Sequence, residues 1–349
     1  FEGAFADYHQ ARFAISASNG TVTLEAALRA AGIGPGDEVL VPPITFIATA
    51  TAVLRVGATP VFADIELATG NLDPARLKEA ITPATRAIVP VHFAGHPADM
   101  DAILEIAREH GLIVLEDAAH AHGASWKGRM VGSFGHFGSF SFQQSKNMTA
   151  GEGGILITND EDLAAEARAI ANQGRRPGGG WYEHVSLGTN LRLTGWQAAI
   201  LLCQLARLPA QLEKRARNTR LLADMLRDTG AVLPPEVDRR VTSHGYYLYL
   251  LRIDEAALPS LAKDLFVRAL AAEGIPGVSS YPYPIYENAV FASYPHRRLA
   301  CPQAEKFCRE CFWLSHEILL AGEEDLHDVA QAIMKVRDAA GVLRSMGAA

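Results

Sequence analysis

Between Glu38 and Asn159, short β-branched and aliphatic runs alternate with segments of helical spacing, and this alternation restricts the fold more than any other feature. The strand candidates are 38–41, 59–63, 87–92, 112–115, 138–142 and 154–158, with amphipathic helical patterns at 101–109 and 161–172. Strands joined by helical crossovers pair in parallel, so the pattern predicts an α/β fold with a mostly parallel sheet between helices. A long helical pattern, interrupted at Pro209, covers 194–228, and Pro234-Pro235 marks a boundary. Residues 1–233 therefore read as a large domain and 234–349 as a smaller α+β domain. In the latter, 244–253 is the clearest strand and 261–273 the clearest helix.

Charge and cysteine usage narrow the function classes. A net charge of −7 and a pI near 6.0 argue against a nucleic-acid or anionic-membrane surface. No apolar run approaches the roughly 20 residues of a membrane helix. Cys308 and Cys311 form a CxxC, but no second CxxC or histidine pair completes a tetrahedral metal site. Their spacing suits one face of a helix over 302–314, which predicts core packing in a reduced cytoplasmic protein and no metal. The chain begins at Phe1, and Phe1 to Ala6 resembles the middle of an amphipathic helix, so a truncated N-terminus is expected.

Lys146 is the strongest chemical signal. It follows an aromatic strand, with Ser141 and Phe142 at its end, and precedes the glycine-rich Gly151-Glu152-Gly153-Gly154. A lysine delivered to a semi-buried site loses solvation of its ammonium, so its pKa falls and a nucleophilic amine appears. Such an amine forms Schiff bases with carbonyls, the aldehyde of pyridoxal phosphate among them. Asp117, after the strand at 112–115, stands where open α/β sheets bind ligands. Its residue type suits either a helix N-cap or the partner of a protonated ring nitrogen. His120 suits either a satisfied core histidine or a hydrogen bond to the same ring. Asn19-Gly20-Thr21, opening a helix, reads as an ordinary cap or as a phosphate-binding N-terminus, with Ser141 supplying a further hydroxyl.

Taken in order, five stretches resemble the DegT/StrS sugar aminotransferases. They are Asn19-Gly20-Thr21, the run from Pro43 to Thr49, the run from Pro90 to Gly95, the run from Glu116 to His120, and the run from Ser141 through Lys146 to Gly154. Gly188-Thr189-Asn190-Leu191-Arg192 and Ser279 to Pro284 extend the likeness over essentially the whole chain. The resemblance implies a fold-type-I enzyme dependent on pyridoxal 5′-phosphate, acting by a ping-pong mechanism as a homodimer with shared active sites. It implies Lys146 as covalent anchor and general acid/base, and Asp117 at the ring nitrogen. His120 would meet the ring oxygen, Phe46 would stack on the ring, and Gly20, Thr21 and Ser141 would grip the phosphate. Asn190 would reach the phosphate in the other subunit.

Within the family, Gln143, the His120-Ala121-His122 run and Leu319 to Gly322 look like the aminocyclitol and 3-amino-5-hydroxybenzoate branch. That implies a cyclic polyhydroxy ketone as acceptor, with L-glutamine, L-glutamate or L-alanine as donor. Gln143, Arg192, Tyr286 and His316 are the candidate substrate contacts. A nucleotide-linked keto sugar as acceptor, 3-amino-5-hydroxybenzoate synthesis and a non-catalytic cofactor-binding regulator are the alternative readings.

Overall fold

Val39, Leu40 and Val41 are all fully buried, as a strand covered on both faces requires. They belong to an eight-stranded sheet in a computed structural model of the protein, which describes residues 1–176 and 178–347. In chain order the first strands are β1 (Phe13–Ala17), β2 (Glu38–Val41), β3 (Thr59–Phe62), β4 (Thr85–Ile88) and β5 (Ile113–Asp117). A short hairpin, β6 (Ser125–Trp126) and β7 (Arg129–Met130), precedes β8 (Phe137–Ser141) and β9 (Gly154–Thr158). Later come β10 (Val232–Leu233), β11 (Val241–Ser243), β12 (Leu248–Ile253), β13 (Gly277–Ser279), β14 (Arg297–Arg298) and β15 (Cys311–Ser315).

The large sheet runs β1-β9-β8-β5-β4-β2-β3-β14. From β14 to β8 every neighbour is parallel, and β8-β9 and β9-β1 are antiparallel. The expected strands are all present, two with the expected ends and the others with ends shifted by at most four residues. A second, antiparallel sheet has the order β10-β12-β15-β13.

The helices are α1 (Glu2–Tyr8), α2 (Gly20–Ala30), α3 (Ala48–Arg55), α4 (Pro74–Ala80), α5 (Met100–His110), α6 (Glu161–Ala171) and α7 (Gly195–Arg227). After them come α8 (Lys263–Ala272), α9 (Pro302–Glu310), α10 (Glu323–Asp338) and α11 (Ala340–Gly347). α5 shows how the sequence writes a crossover. Asp99 accepts from the Ala102 N–H at 3.2 Å, Gly111 closes the helix at φ +63°, and Met100, Ile103, Ile106 and Ala107 form its buried stripe. Met100, Ile103 and Ile106 each contribute about 2 kcal/mol on burial. Residues of α2, α3 and α6 pack with one face of the sheet, and residues of α4 and α5 with the other. Among the described residues no helix is long and apolar enough to cross a membrane.

Three expectations change. Pro209 does not interrupt the helix, because α7 runs through it for 33 residues. A mid-helix proline costs about 3 kcal/mol, and burial of Leu201, Leu205, Leu208 and Leu212 around it offsets that cost. The helix expected over 302–314 stops at Glu310. Cys311-Phe312-Trp313-Leu314 instead pairs with β12 on one side and β13 on the other, an apolar run too short for its period to separate helix from strand. Cys308 and Cys311 are free and buried, and burial pushes both thiols up to about 12. The strand expected over 244–253 begins only at Leu248. Residues 244–247 turn instead, with Tyr246 at φ +48°. They are seated against Gly95, where a Cβ would stand 2.6 Å from the Tyr246 nitrogen. Pro177, in the glycine-rich stretch from Gly174 to Gly180, lies outside the described residues.

Behind β5 lies a fully buried carboxylate. Glu116 accepts from the N–H groups of Gly132 at 2.6 Å, Phe134 at 2.7 Å and Gly135 at 2.7 Å. His92 Nδ1 accepts from the Ala98 N–H, so its Nε2–H donates to Glu116, 3.1 Å away. Glu116→Gln puts an amide NH₂ among these donors. We expect a loss of about 3 kcal/mol or more, read as a lower denaturant midpoint. An unchanged midpoint would show that the carboxylate is not needed there.

Candidate active site

Side chains alternate along a strand, so Glu116 turning away from the cleft sends Asp117 into it. Asp117 is buried at the C-terminal end of β5 and takes two donors: Thr49 Oγ1 at 2.8 Å and the Ala119 N–H at 3.2 Å. Thr49 is in turn 2.9 Å from Thr45 Oγ1, in the bend that leads into α3. Burial raises the pKa of Asp117, while Thr49, Ala119 and the charge of Lys146 oppose the rise.

β8 supplies the second component. It ends at Ser141, and residues 142–153 loop back to β9, with the Phe142 N–H donating to the Gly153 carbonyl at 2.8 Å. Lys146 lies in this loop, with Nζ 4.2 Å from the centre of the Tyr247 ring. Burial lowers its pKa from 10.5 to about 8, partly opposed by the charge of Asp117. The two groups are therefore shifted toward each other from opposite ends of the scale, a pattern that marks reactive sites.

The N-terminus of α2 abuts the end of β8. Asn19 caps it by accepting from the Val22 N–H at 3.0 Å, and Thr23 Oγ1 lies 2.7 Å from Ser139 Oγ. A Cβ on Gly20 would stand 2.7 Å from the Ser141 Cβ, so only glycine permits this approach. The first N–H groups of the helix lack intrahelical acceptors and suit an anion. His120 is buried beside the lysine, its ring 4.3 Å from that of Tyr247 and its Nδ1 without a partner among the described residues. Burial holds its pKa well below the ordinary range, so the imidazole is neutral.

Gly20, Thr21, Phe46, Asp117, His120, Ser141, Gln143 and Lys146 all line one cleft of about 1250 Å³. Four expected residues are not brought to its lining. Asn190 pairs with Asn172, and Arg192 Nη1 donates to Asn172 Oδ1 at 2.9 Å. Tyr286 is buried in the core against Phe62, under the Arg298 guanidinium. His316 lies behind the Lys146 loop, against Ser145. Thr49, Tyr247, Tyr281 and Trp313 line the cleft without having been singled out. Thr49 fell within the run from Pro43 to Thr49, and nothing in the sequence marked Tyr247 or Trp313. A larger opening of about 1500 Å³ lies between α7 and the small sheet and lacks this chemistry.

These groups fit pyridoxal phosphate: a depressed lysine for its aldehyde, a buried carboxylate for its ring nitrogen, and a glycine cradle at a helix N-terminus for its phosphate. Comparison with known proteins agrees. Residues 1–334 match the DegT/DnrJ/EryC1/StrS aminotransferase family. The chain is 39% identical to the 3-amino-5-hydroxybenzoate synthase of Amycolatopsis mediterranei over 342 residues, covering 95% of this chain and 87% of that protein. It is also 39% identical to the L-glutamine:2-deoxy-scyllo-inosose aminotransferase of Streptomyces lividus over 363 residues, covering 96% and 85%. The crystal structure of a 3-amino-5-hydroxybenzoic acid synthase superposes with a TM-score of 0.90 at 38% identity, covering 96% of this chain and 89% of that one.

The electrostatics can be measured directly. Competitive amine labelling of the cofactor-free protein across pH should give Lys146 a midpoint near 8. Asp117 favours the ammonium, so Asp117→Asn should move the midpoint lower. A midpoint near the ordinary 10.5 would mean that the amine is solvated.

Proposed function

Because this chain belongs to the DegT/DnrJ/EryC1/StrS aminotransferase family of pyridoxal-phosphate-dependent enzymes, we propose that it transfers an amino group from an amino acid to a neutral, hydroxyl-rich cyclic ketone of the keto-cyclitol type. One observation about the cleft carries the choice of acceptor. Its cationic side chains among the described residues are Lys146 and Arg55, and Arg55 Nε is held by Glu25 at 2.7 Å. Among the described residues, this chain's own lining thus offers a diphosphate no cation beyond the lysine and that paired arginine. The walls instead offer hydroxyls, amides and aromatic faces from Thr21, Gln143, Tyr247, Tyr281 and Trp313. The Streptomyces lividus relative, named for a ketone of this class and for L-glutamine, supports the same reading.

Bound here, the cofactor would supply an electron sink for the carbon that loses its proton. Asp117 would hold a proton on the ring nitrogen, with Thr49 orienting the carboxylate. Lys146 would hold the aldehyde carbon and, once released, move the proton at Nζ. A pKa near 8 keeps a useful fraction of the amine free at neutral pH. Gly20, Thr21 and Ser141 would take the phosphate, His120 would sit beside the ring, and Phe46 would cover its face. Donor and acceptor would use the cleft in turn.

We also place a second copy of the chain over the cleft. What supports this is apolar surface left in water: Phe46 is 60% exposed at the rim, and Trp181 and Leu187 are 87% and 85% exposed. Asn190 is exposed as well and would reach the partner's phosphate pole.

Two experiments test these proposals. In a coupled assay of ketones against L-glutamine, L-glutamate and L-alanine, inosose-type ketones should be converted. Loss of one ring hydroxyl should lower kcat/KM by about tenfold or more, because its buried partners are left unpaired. Turnover of a nucleotide-linked keto sugar alone would overturn the acceptor assignment, and an aromatic product would favour 3-amino-5-hydroxybenzoate synthesis. For assembly, an inactive Lys146→Ala protein mixed with an inactive Asn190→Ala protein should recover activity on subunit exchange. No recovery after verified exchange would count against a shared site.

A further inference from the structure

Arg215 lies on the inward side of α7 and is 1% exposed, although a charge so deeply buried demands a reason. Its Nη2 is 3.0 Å from His316 Nδ1, while Nε and Nη1 have no partner among the described residues. Burial lowers the guanidinium only to about 10, so it stays charged and is a donor only. His316 Nδ1 must therefore be the accepting nitrogen, and the imidazole proton must sit on Nε2. That N–H lies 3.0 Å from the carbonyl oxygen of Ser145, the residue before Lys146.

We infer that Arg215 and His316 are a positioning pair for Lys146. The guanidinium selects the imidazole tautomer, and the imidazole N–H fixes the peptide that carries the lysine. The inference rests on the reading of Lys146 as the reactive amine. Two other contacts hold the same loop from the same side. Ser145 Oγ is 2.9 Å from Tyr247 Oη, and Asn147 Nδ2 donates to the Gly245 carbonyl at 2.5 Å. The three anchors bracket Lys146 on both sides, leaving its side chain free over the Tyr247 ring.

The charged and titratable groups facing His316 are few. Arg215 approaches from α7, Lys146 and Ser145 from the loop, and the Tyr247 ring lies 6.0 Å away. The exposed Glu317 has an oxygen 3.4 Å from Nε2, a longer second acceptor for the same proton. Burial lowers the pKa of His316, Glu317 opposes the shift, and Arg215 adds to it. The ring is thus neutral in the working range, as an acceptor from Arg215 must be. Protonation would place a second N–H against the guanidinium and break the pair.

The test reads the cofactor-free protein as well as turnover. Nitrogen NMR of the native imidazole should show Nδ1 unprotonated and Nε2 protonated. Competitive labelling of Lys146 in His316→Ala should show its midpoint rising from about 8 by about one pH unit or more, as water reaches the loosened loop. His316→Gln, which keeps an N–H near the Nε2 position, should restore most of the shift. kcat should fall by about a hundredfold in His316→Ala, since misplacement near 1 Å costs that much. An Nδ1–H tautomer in the native protein would overturn the inference. So would a folded His316→Ala protein with an unmoved Lys146 midpoint. If His316→Ala does not fold, the native tautomer and the His316→Gln midpoint decide. Borohydride reduction of the holoenzyme that places the pyridoxyl group on another lysine would overturn the aminotransferase reading separately, without touching the labelling result.

Discussion

The architecture of the cleft depends on one carboxylate that never meets it. Glu116 is a buried anion, and without its three backbone donors and His92 it would cost several kcal/mol. Satisfying it fixes three things together: the end of β5, the turn at 132–135 that leads into β8, and the loop after β4 that carries His92. Asp117 inherits its direction from that arrangement, because its neighbour can point only the other way. The carboxylate that enters the cleft is thus aimed by one buried behind it.

Asp117 and Lys146 then form a matched pair of stresses. Burial raises the first and lowers the second, and each partly relieves the other. Neither shift arises from a specialised sequence. Both follow from placing the loop after β8 against the ends of β5 and α2, under a wall formed by Tyr247, Tyr281 and Trp313. The α2 N-terminus approaches so closely because position 20 has no side chain.

How much of this could be read from the chain divides along a physical line. The six strands from 38 to 158 were legible because doubly covered strands need continuous apolar runs. Asp117, Gly20, Thr21 and Ser141 could be read as cleft residues because each sits where a strand ends or a helix begins, and Lys146 because it follows an aromatic strand and precedes a glycine-rich turn. Thr49 lay within the run from Pro43 to Thr49, but its bond to Asp117 emerges only in the fold. Tyr247, Trp313 and the partnership of Arg215 with His316 were not legible, since they arise when residues about a hundred positions apart meet. Tyr286 and Cys311 failed differently: motif likeness pointed Tyr286 at substrate, and periodicity put Cys311 in a helix, but packing decided both. Pro209 was overruled by four leucines around it.

The unbroken course of α7 has a geometrical consequence. Gln197 at its first turn donates to the Glu152 carbonyl, and Arg215 reaches His316 from five turns further along. Both contacts lie on one rod, so their angular relation is set by residue count alone. Adding or removing one residue between them would rotate everything beyond by about 100° and slide it by about 1.5 Å. The helix therefore serves as a phase gauge, in which chain length, as much as residue identity, carries information about the lysine.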